Sequence, residues 1–129
     1  MIDGRDASFS GQKLLVVEDE YIVATDFALR LEDSGAEVVG PAGSVQDALE
    51  LIEAEGDGLD AAVLDVNLAG EFVYPVADVL ATRGVPFVFT TGYDASAINP
   101  AYSGTPRCEK PIDPALLARL LAKIAGRST

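Results

Sequence analysis

Short apolar runs recur along this chain, Leu14-Leu15-Val16-Val17, Ala61-Ala62-Val63-Leu64 and Pro86-Phe87-Val88-Phe89, and each stops at a polar residue. None alternates polar with apolar positions. A strand made from such a run buries both faces, as strands do in a parallel sheet covered by helices on each side. The intervening segments carry apolar residues near helical spacing. Glu20 to Ser34 predicts a helix with Ile22, Val23, Phe27, Leu29 and Leu31 near that spacing and Gly35 as its C-terminal cap. Glu37 to Gly40 reads as a second strand and Pro41 to Gly43 as a turn. Ser44 is the N-cap of a second helix, with Asp47 supporting its first turn and Ala48, Leu49, Leu51 and Ile52 as its core face.

The pattern then repeats. Asp60 to Leu64 is a third strand, Phe72 to Thr82 a third helix and Pro86 to Thr90 a fourth strand. Asp94 caps a short fourth helix that Pro100 and Gly104 limit. Arg107 to Glu109 is a short fifth strand. Asp113 and Pro114 open a last helix running through Leu116, Leu117, Leu120, Leu121 and Ile124 to Gly126. The expected architecture is α/β, a parallel sheet wrapped on both faces. Residues 1–12, polar and Gly/Ser-rich, read as a loose N-terminal arm, and residues 13–127 as one domain.

Composition narrows the chemistry. The chain has 129 residues, enough for one core, and a net charge of −12 that disfavours contact with a nucleic-acid backbone. It contains no histidine, which removes His-based metal sites and Ser-His-Asp or Cys-His catalysis. Cys108 is the lone cysteine and reads as core filling. No apolar run could span a membrane, and no secretory signal pattern opens the chain, so a cytoplasmic location is expected. Arg83, Arg119, Lys123 and Arg127 read as solvated charges.

In an open α/β sheet the working site lies beyond the carboxyl ends of the strands. Those ends carry Glu18-Asp19-Glu20, Asp65, Thr90-Thr91 and Glu109-Lys110-Pro111. Glu18, Asp19 and Asp65 would bring three negative charges into one cleft. Lys110 and a divalent cation would balance them. Oxygen ligands without histidine or cysteine select Mg²⁺, with Mn²⁺ as the alternative. Such an ion also neutralises a transferring phosphoryl group, for which Asp65 is the nucleophile to expect. Each residue has a plainer reading as well. The acidic triplet could favour a helix dipole, Asp65 could be a solvated strand end, and Lys110 a surface charge before a turn.

The runs LLVVEDE, AAVLDVN and PFVFTTGY, together with Lys110-Pro111, resemble in their order the signature segments of bacterial response-regulator receiver domains (CheY-like). The resemblance spans Lys13 to Gly126. It implies a flavodoxin-like (βα)5 doubly wound sheet of strand order 2-1-3-4-5. It implies Asp65 as phosphoacceptor, Asp19 as a direct metal ligand, Glu18 as a ligand through water, and the backbone carbonyl of Asn67 as a further ligand. Thr91 and Lys110 would each hold a phosphoryl oxygen, Gly92 would leave room for the group, and the Lys110-Pro111 bond would be cis. PFVFTTGYD is similar to the Phe-Ala-Thr-Gly-Tyr (FAT GUY) subgroup of stand-alone receivers, with Thr90 in place of Ala. Arg107 stands where most receivers have an aromatic switch residue, and Tyr93 or Tyr102 is the candidate replacement. Tyr93 is also a candidate shield of the acyl phosphate.

The implied partners are a sensor histidine kinase or histidine phosphotransfer protein and a downstream protein that reads the switched surface. A phosphate sink is the second version. The implied state is a monomer or a phosphorylation-dependent dimer, without contact to membrane or nucleic acid. The chain would be a signalling domain whose only catalysis is its own phosphorylation and dephosphorylation. Other classes are a flavodoxin-like mononucleotide binder, which the acidic loop after the first strand argues against, and a receiver-like fold that is never phosphorylated.

Overall fold

The computed structural model describes residues 9–92 and 98–125. The chain runs β1 (Lys13–Val17), α1 (Tyr21–Asp33), β2 (Glu37–Ala42), α2 (Val45–Glu55), β3 (Ala61–Asp65), β4 (Asn67–Leu68), β5 (Glu71–Phe72), α3 (Tyr74–Thr82), β6 (Phe87–Thr91), β7 (Arg107–Glu109) and α4 (Pro114–Ala125). A 3₁₀ turn, Pro100–Tyr102, precedes β7. The main sheet has five parallel strands in the order β2-β1-β3-β6-β7, and β4 and β5 form a separate antiparallel hairpin. Leaving out the hairpin, this is the expected flavodoxin-like order.

Successive strand residues point to opposite faces, which explains the unbroken apolar runs. Leu15, Val17, Leu64 and Phe89 pack with Ala48, Ile52, Val76 and Leu80 of α2 and α3. Leu14, Val16, Val63, Val88 and Cys108 pack on the other side with Phe27 and Leu31 of α1 and Leu117 and Leu121 of α4. Cys108 is core filling, and burial pushes its thiol pKa up.

Several local expectations are corrected. The arm is anchored from Phe9, whose side chain is only 1% exposed and whose N–H donates to Ser34 O at 2.9 Å. Its polar neighbours hid one large apolar side chain with a place in the core. In α1 the buried stripe is Ala24, Phe27 and Leu31, while Ile22 and Leu29 are 81% and 56% exposed. The helical phase set by Phe27 and Leu31 turns them outward.

β2 continues through Pro41 to Ala42 in place of turning. It is an edge strand, where a missing N–H costs no ladder bond on the open side. The register slips from Leu15↔Val39 to Val17↔Ala42, and Gly40 takes φ 98° at the slip. A Cβ at Gly40 would stand 2.9 Å from Val16 O, so only glycine fits.

α3 begins at Tyr74 because Asn67 to Phe72 forms the hairpin. Ala69 and Gly70 have φ 55° and 97°, the left-handed pair of a tight two-residue turn. Strands of two residues carry no readable period. Arg83 is not a free surface charge: it donates to Gly56 O at 3.0 Å and to Glu53 at 3.0 Å, tying α3 to the end of α2. Other expectations hold. Ser44 caps α2 by accepting from Asp47 N at 3.1 Å, and Asp113 accepts from Ala115 N at 3.0 Å at the start of α4. Tyr93, Asp94, Gly126 and Arg127 lie outside the described residues.

Candidate functional site

The parallel register places the ends of β1, β3, β6 and β7 along one edge of the sheet. Glu18 follows β1, Asp65 and Thr91 end β3 and β6, and Lys110 follows β7. Apolar strand bodies hold these polar ends in place, so their side chains converge without being chain neighbours. One carboxylate oxygen each from Glu18, Asp19 and Asp65 lies within 4.8 Å of the others. Glu18 and Asp65 are buried, at 2% and 3% exposed, and Asp19 is half-buried.

Lys110 is the counter-charge. Its Nζ donates to Asp65 Oδ2 at 3.0 Å and to Glu18 Oε2 at 3.3 Å. It also donates to Glu20 Oε1 at 3.3 Å. The lysine's backbone N–H donates to Thr91 O at 2.7 Å, binding the end of β7 to that of β6. Asp65 Oδ1 accepts from Asn67 N at 3.1 Å. The Lys110-Pro111 peptide is cis, as the resemblance implied. Pro111 is exposed beside it.

Crowding of negative charge shows in the proton affinities. Burial first, then the neighbouring Asp65 carboxylate, pushes the Glu18 pKa up to about 7, against the Glu20 backbone N–H and Lys110, which pull it down. Burial also raises Asp19, with Asp65 adding to it. Burial lowers Lys110's affinity for its proton, yet Asp65 and Glu18 outweigh that and hold it above the usual lysine range.

Glu18 Oε1 is buried without a hydrogen-bond partner among the described residues, although it lies 3.3 Å from Lys110 Nζ. A buried carboxylate oxygen without a hydrogen-bond partner, on a residue clustered with two other carboxylates, is what a hard cation would relieve, so the residues present fit Mg²⁺ or Mn²⁺. They open on a cleft of about 310 Å³ lined by Asp19, Glu20, Asp65, Asn67, Gly92 and Lys110. A Cβ at Gly92 would meet nothing within 4 Å, so that side is open. The larger apolar hollow beside Phe87, Leu120 and Ile124 is lined by no carboxylate.

Thr91 Oγ1 is also buried and without a hydrogen-bond partner among the described residues, hence uncommitted. Thr90 Oγ1 shares that state, in register with Asp65 and Cys108 on its neighbouring strands. The site therefore brings together Glu18, Asp19, Asp65, Asn67, Gly92 and Lys110. Tyr93 lies outside the described residues. Arg107 is exposed on β7. Glu20, read from sequence only as part of the acidic triplet, joins the lysine; its position next to Asp19 was the available signal.

No family model matches the chain. Over 83 residues it is 31% identical to the transcriptional regulatory protein PdtaR of Mycobacterium tuberculosis, a match covering 64% of this chain. The chain spans 40% of the length of that curated relative. Among solved structures it is similar to SdrG from Sphingomonas melonis Fr1, with 38% identity and a TM-score of 0.72 over 88% of this chain and 95% of that one. It is 25% identical, with a TM-score of 0.76, to a response regulator receiver protein from Sinorhizobium medicae, covering 91% of this chain and 96% of that one. PhyR from Brucella abortus, a response regulator, gives the same identity and score over 93% of this chain and 50% of that one. With the sheet order, the acidic strand ends and the lysine opposite them, these likenesses show that the chain belongs to the response-regulator receiver domains of two-component systems.

Proposed function

We propose that this domain accepts a phosphoryl group on Asp65 and thereby changes the surface it offers to a partner. The observation that carries this reading is the Lys110 ion pair to a buried Asp65 whose neighbours Glu18 and Asp19 complete a three-carboxylate cluster. Asp19, Asp65, the Asn67 carbonyl and, through water, Glu18 would hold Mg²⁺, or Mn²⁺ in its place. When bound, that ion supplies positive charge to the phosphoryl oxygens.

The chain's own residues do the rest. A carboxylate oxygen of Asp65 attacks phosphorus as the phosphorus–nitrogen bond of a phosphohistidine breaks. Lys110, already at Asp65, keeps its charge through the transfer and takes one of the new phosphoryl oxygens as acceptor. Thr91 Oγ1, uncommitted beforehand, donates to another. Gly92 leaves space beside it. Added charge of about −1.5 to −2 at Asp65 draws these donors inward and biases a two-state equilibrium.

The donor is a sensor histidine kinase or histidine phosphotransfer protein, and a separate protein reads the result. The domain is a switch with no turnover beyond its own phosphorylation and dephosphorylation. Phe89, Thr91 and Gly92 support the FAT GUY reading, and Tyr102 replaces the missing aromatic at Arg107. Its ring lies edge-on to Phe89 at 5.8 Å, two residues before Thr91, and stacks on Tyr74 at 5.9 Å.

Beryllofluoride with Mg²⁺, a mimic of the phosphoryl group on an aspartate, tests the site in solution. Amide NMR shifts are expected at Thr91 and Lys110 and, through the aromatic contacts, at Tyr102. Loss of all shifts in Asp65→Asn supports the reading; equal shifts in that variant contradict it.

A further inference from the structure

The carboxylates of the site sit on two arms of backbone. Glu18 and Asp19 follow β1, while Asp65 ends β3 and Asn67 lies beyond it. The strands fix where each arm begins, but the residues beyond the strand ends need another restraint if their oxygens are to keep their separation. A closed ring of contacts supplies it.

The first half of the ring starts at Glu18, whose N–H donates to Ala42 O at 2.9 Å. The next residue, Gly43, lies beside this arm, where a Cβ on it would make ordinary van der Waals contact at 3.8 Å from Asp19 Cα and 3.9 Å from Glu18 O. Ser44 then caps α2, which begins at Val45. The second half starts at Asp65, whose Oδ1 accepts from Asn67 N, and runs into the hairpin that Asn67 opens. Asn67 Oδ1 accepts from Gly70 N at 2.6 Å, and Val73 N donates to Val66 O at 2.9 Å. The halves meet at one side-chain bond: Glu71 Oε1 accepts from Val45 N at 3.2 Å across 26 residues of chain. Glu71 is an exposed residue, so burial does not explain its reach. It satisfies an N–H that no backbone carbonyl in α2 can take.

We infer that Glu71 is a positioning residue, which holds the Asn67 hairpin against the start of α2 and so fixes the distance between the arm that carries Glu18 and Asp19 and the arm that carries Asn67. The inference rests on the proposed cation-assisted reading of the site. Its signature is cation affinity, because a looser arm must be ordered each time the ion binds, as when supporting contacts of a metal site are removed.

The full chain and its variants Glu71→Ala, Glu71→Gln and Val45→Pro are titrated with Mg²⁺, following the amide NMR shifts of Asp65 and Asn67, with urea unfolding as the fold control. Glutamine keeps the acceptor but loses the charge. Val45→Pro keeps the charge but deletes the donor, at a first helical position that tolerates proline after an extended Ser44 of φ −144° and ψ 162°. Glu71→Ala and Val45→Pro are expected to weaken Mg²⁺ binding about tenfold, and Glu71→Gln to bind nearly as the parent does. Should Glu71→Ala not fold, the glutamine and proline variants still separate bond from charge. Parental affinity in Val45→Pro, or equal weakening in Glu71→Gln and Glu71→Ala, overturns the positioning role and leaves the site intact. A parent chain that shows no Mg²⁺-dependent shift removes the site reading itself, and this inference with it.

Discussion

Glu18 shows how a single residue carries opposing demands. It is buried beside Asp65, and its carboxyl holds a proton up to about pH 7 in the folded chain against an ordinary value of 4.5. Folding therefore favours the protonated form. That contribution is fully present below pH 4.5 and is lost as the pH rises through about 7. In chelator-treated protein, the parent should lose stability relative to Glu18→Gln between about pH 5 and about pH 8. Urea unfolding of both at each pH checks this, and a difference that stays constant contradicts it. The main site residues were legible because they stand where apolar runs stop, and in a parallel sheet those stops share one edge. The reach of Glu20 to Lys110, 90 positions away, and of Glu71 to Val45 was not legible. No spacing rule reports which long side chain bends toward which partner once the backbone has folded.

At the scale of elements, the main strands were readable from their unbroken apolar runs and the helices from their spacing, and most of the failures share a cause. Phe9, β4 and β5 are pieces too short to have a period, and their structure comes from tertiary contacts. Pro41 was read by its usual preference for turns, whereas the open side of β2 admits it. Phe9 gives a direct check on whether the first described residues belong to the folded unit. It packs with Leu14, Leu31, Leu121 and their neighbours between the sheet, α1 and α4. Phe9→Ala should cost about 3 kcal/mol in urea unfolding. A loss below about 0.5 kcal/mol, the scale of a surface change, would return that residue to a loose arm.

For the molecule as a whole, a net charge of −12 sets the surroundings in which one lysine is drawn into the acidic cluster. Two apolar layers keep the sheet rigid, and rigidity keeps Glu18, Asp19 and Asp65 close despite their mutual repulsion. No described helix is long and apolar enough to cross a membrane. The account's central claim is that this arrangement exists to place a phosphoryl group on Asp65. Intact-mass measurement after incubation with a small-molecule phosphodonor and Mg²⁺ tests it most directly. The account predicts gain of a single phosphoryl group, lost on chelation of the cation and absent from Asp65→Asn. An unmodified parent chain, or equal modification of Asp65→Asn, would contradict it.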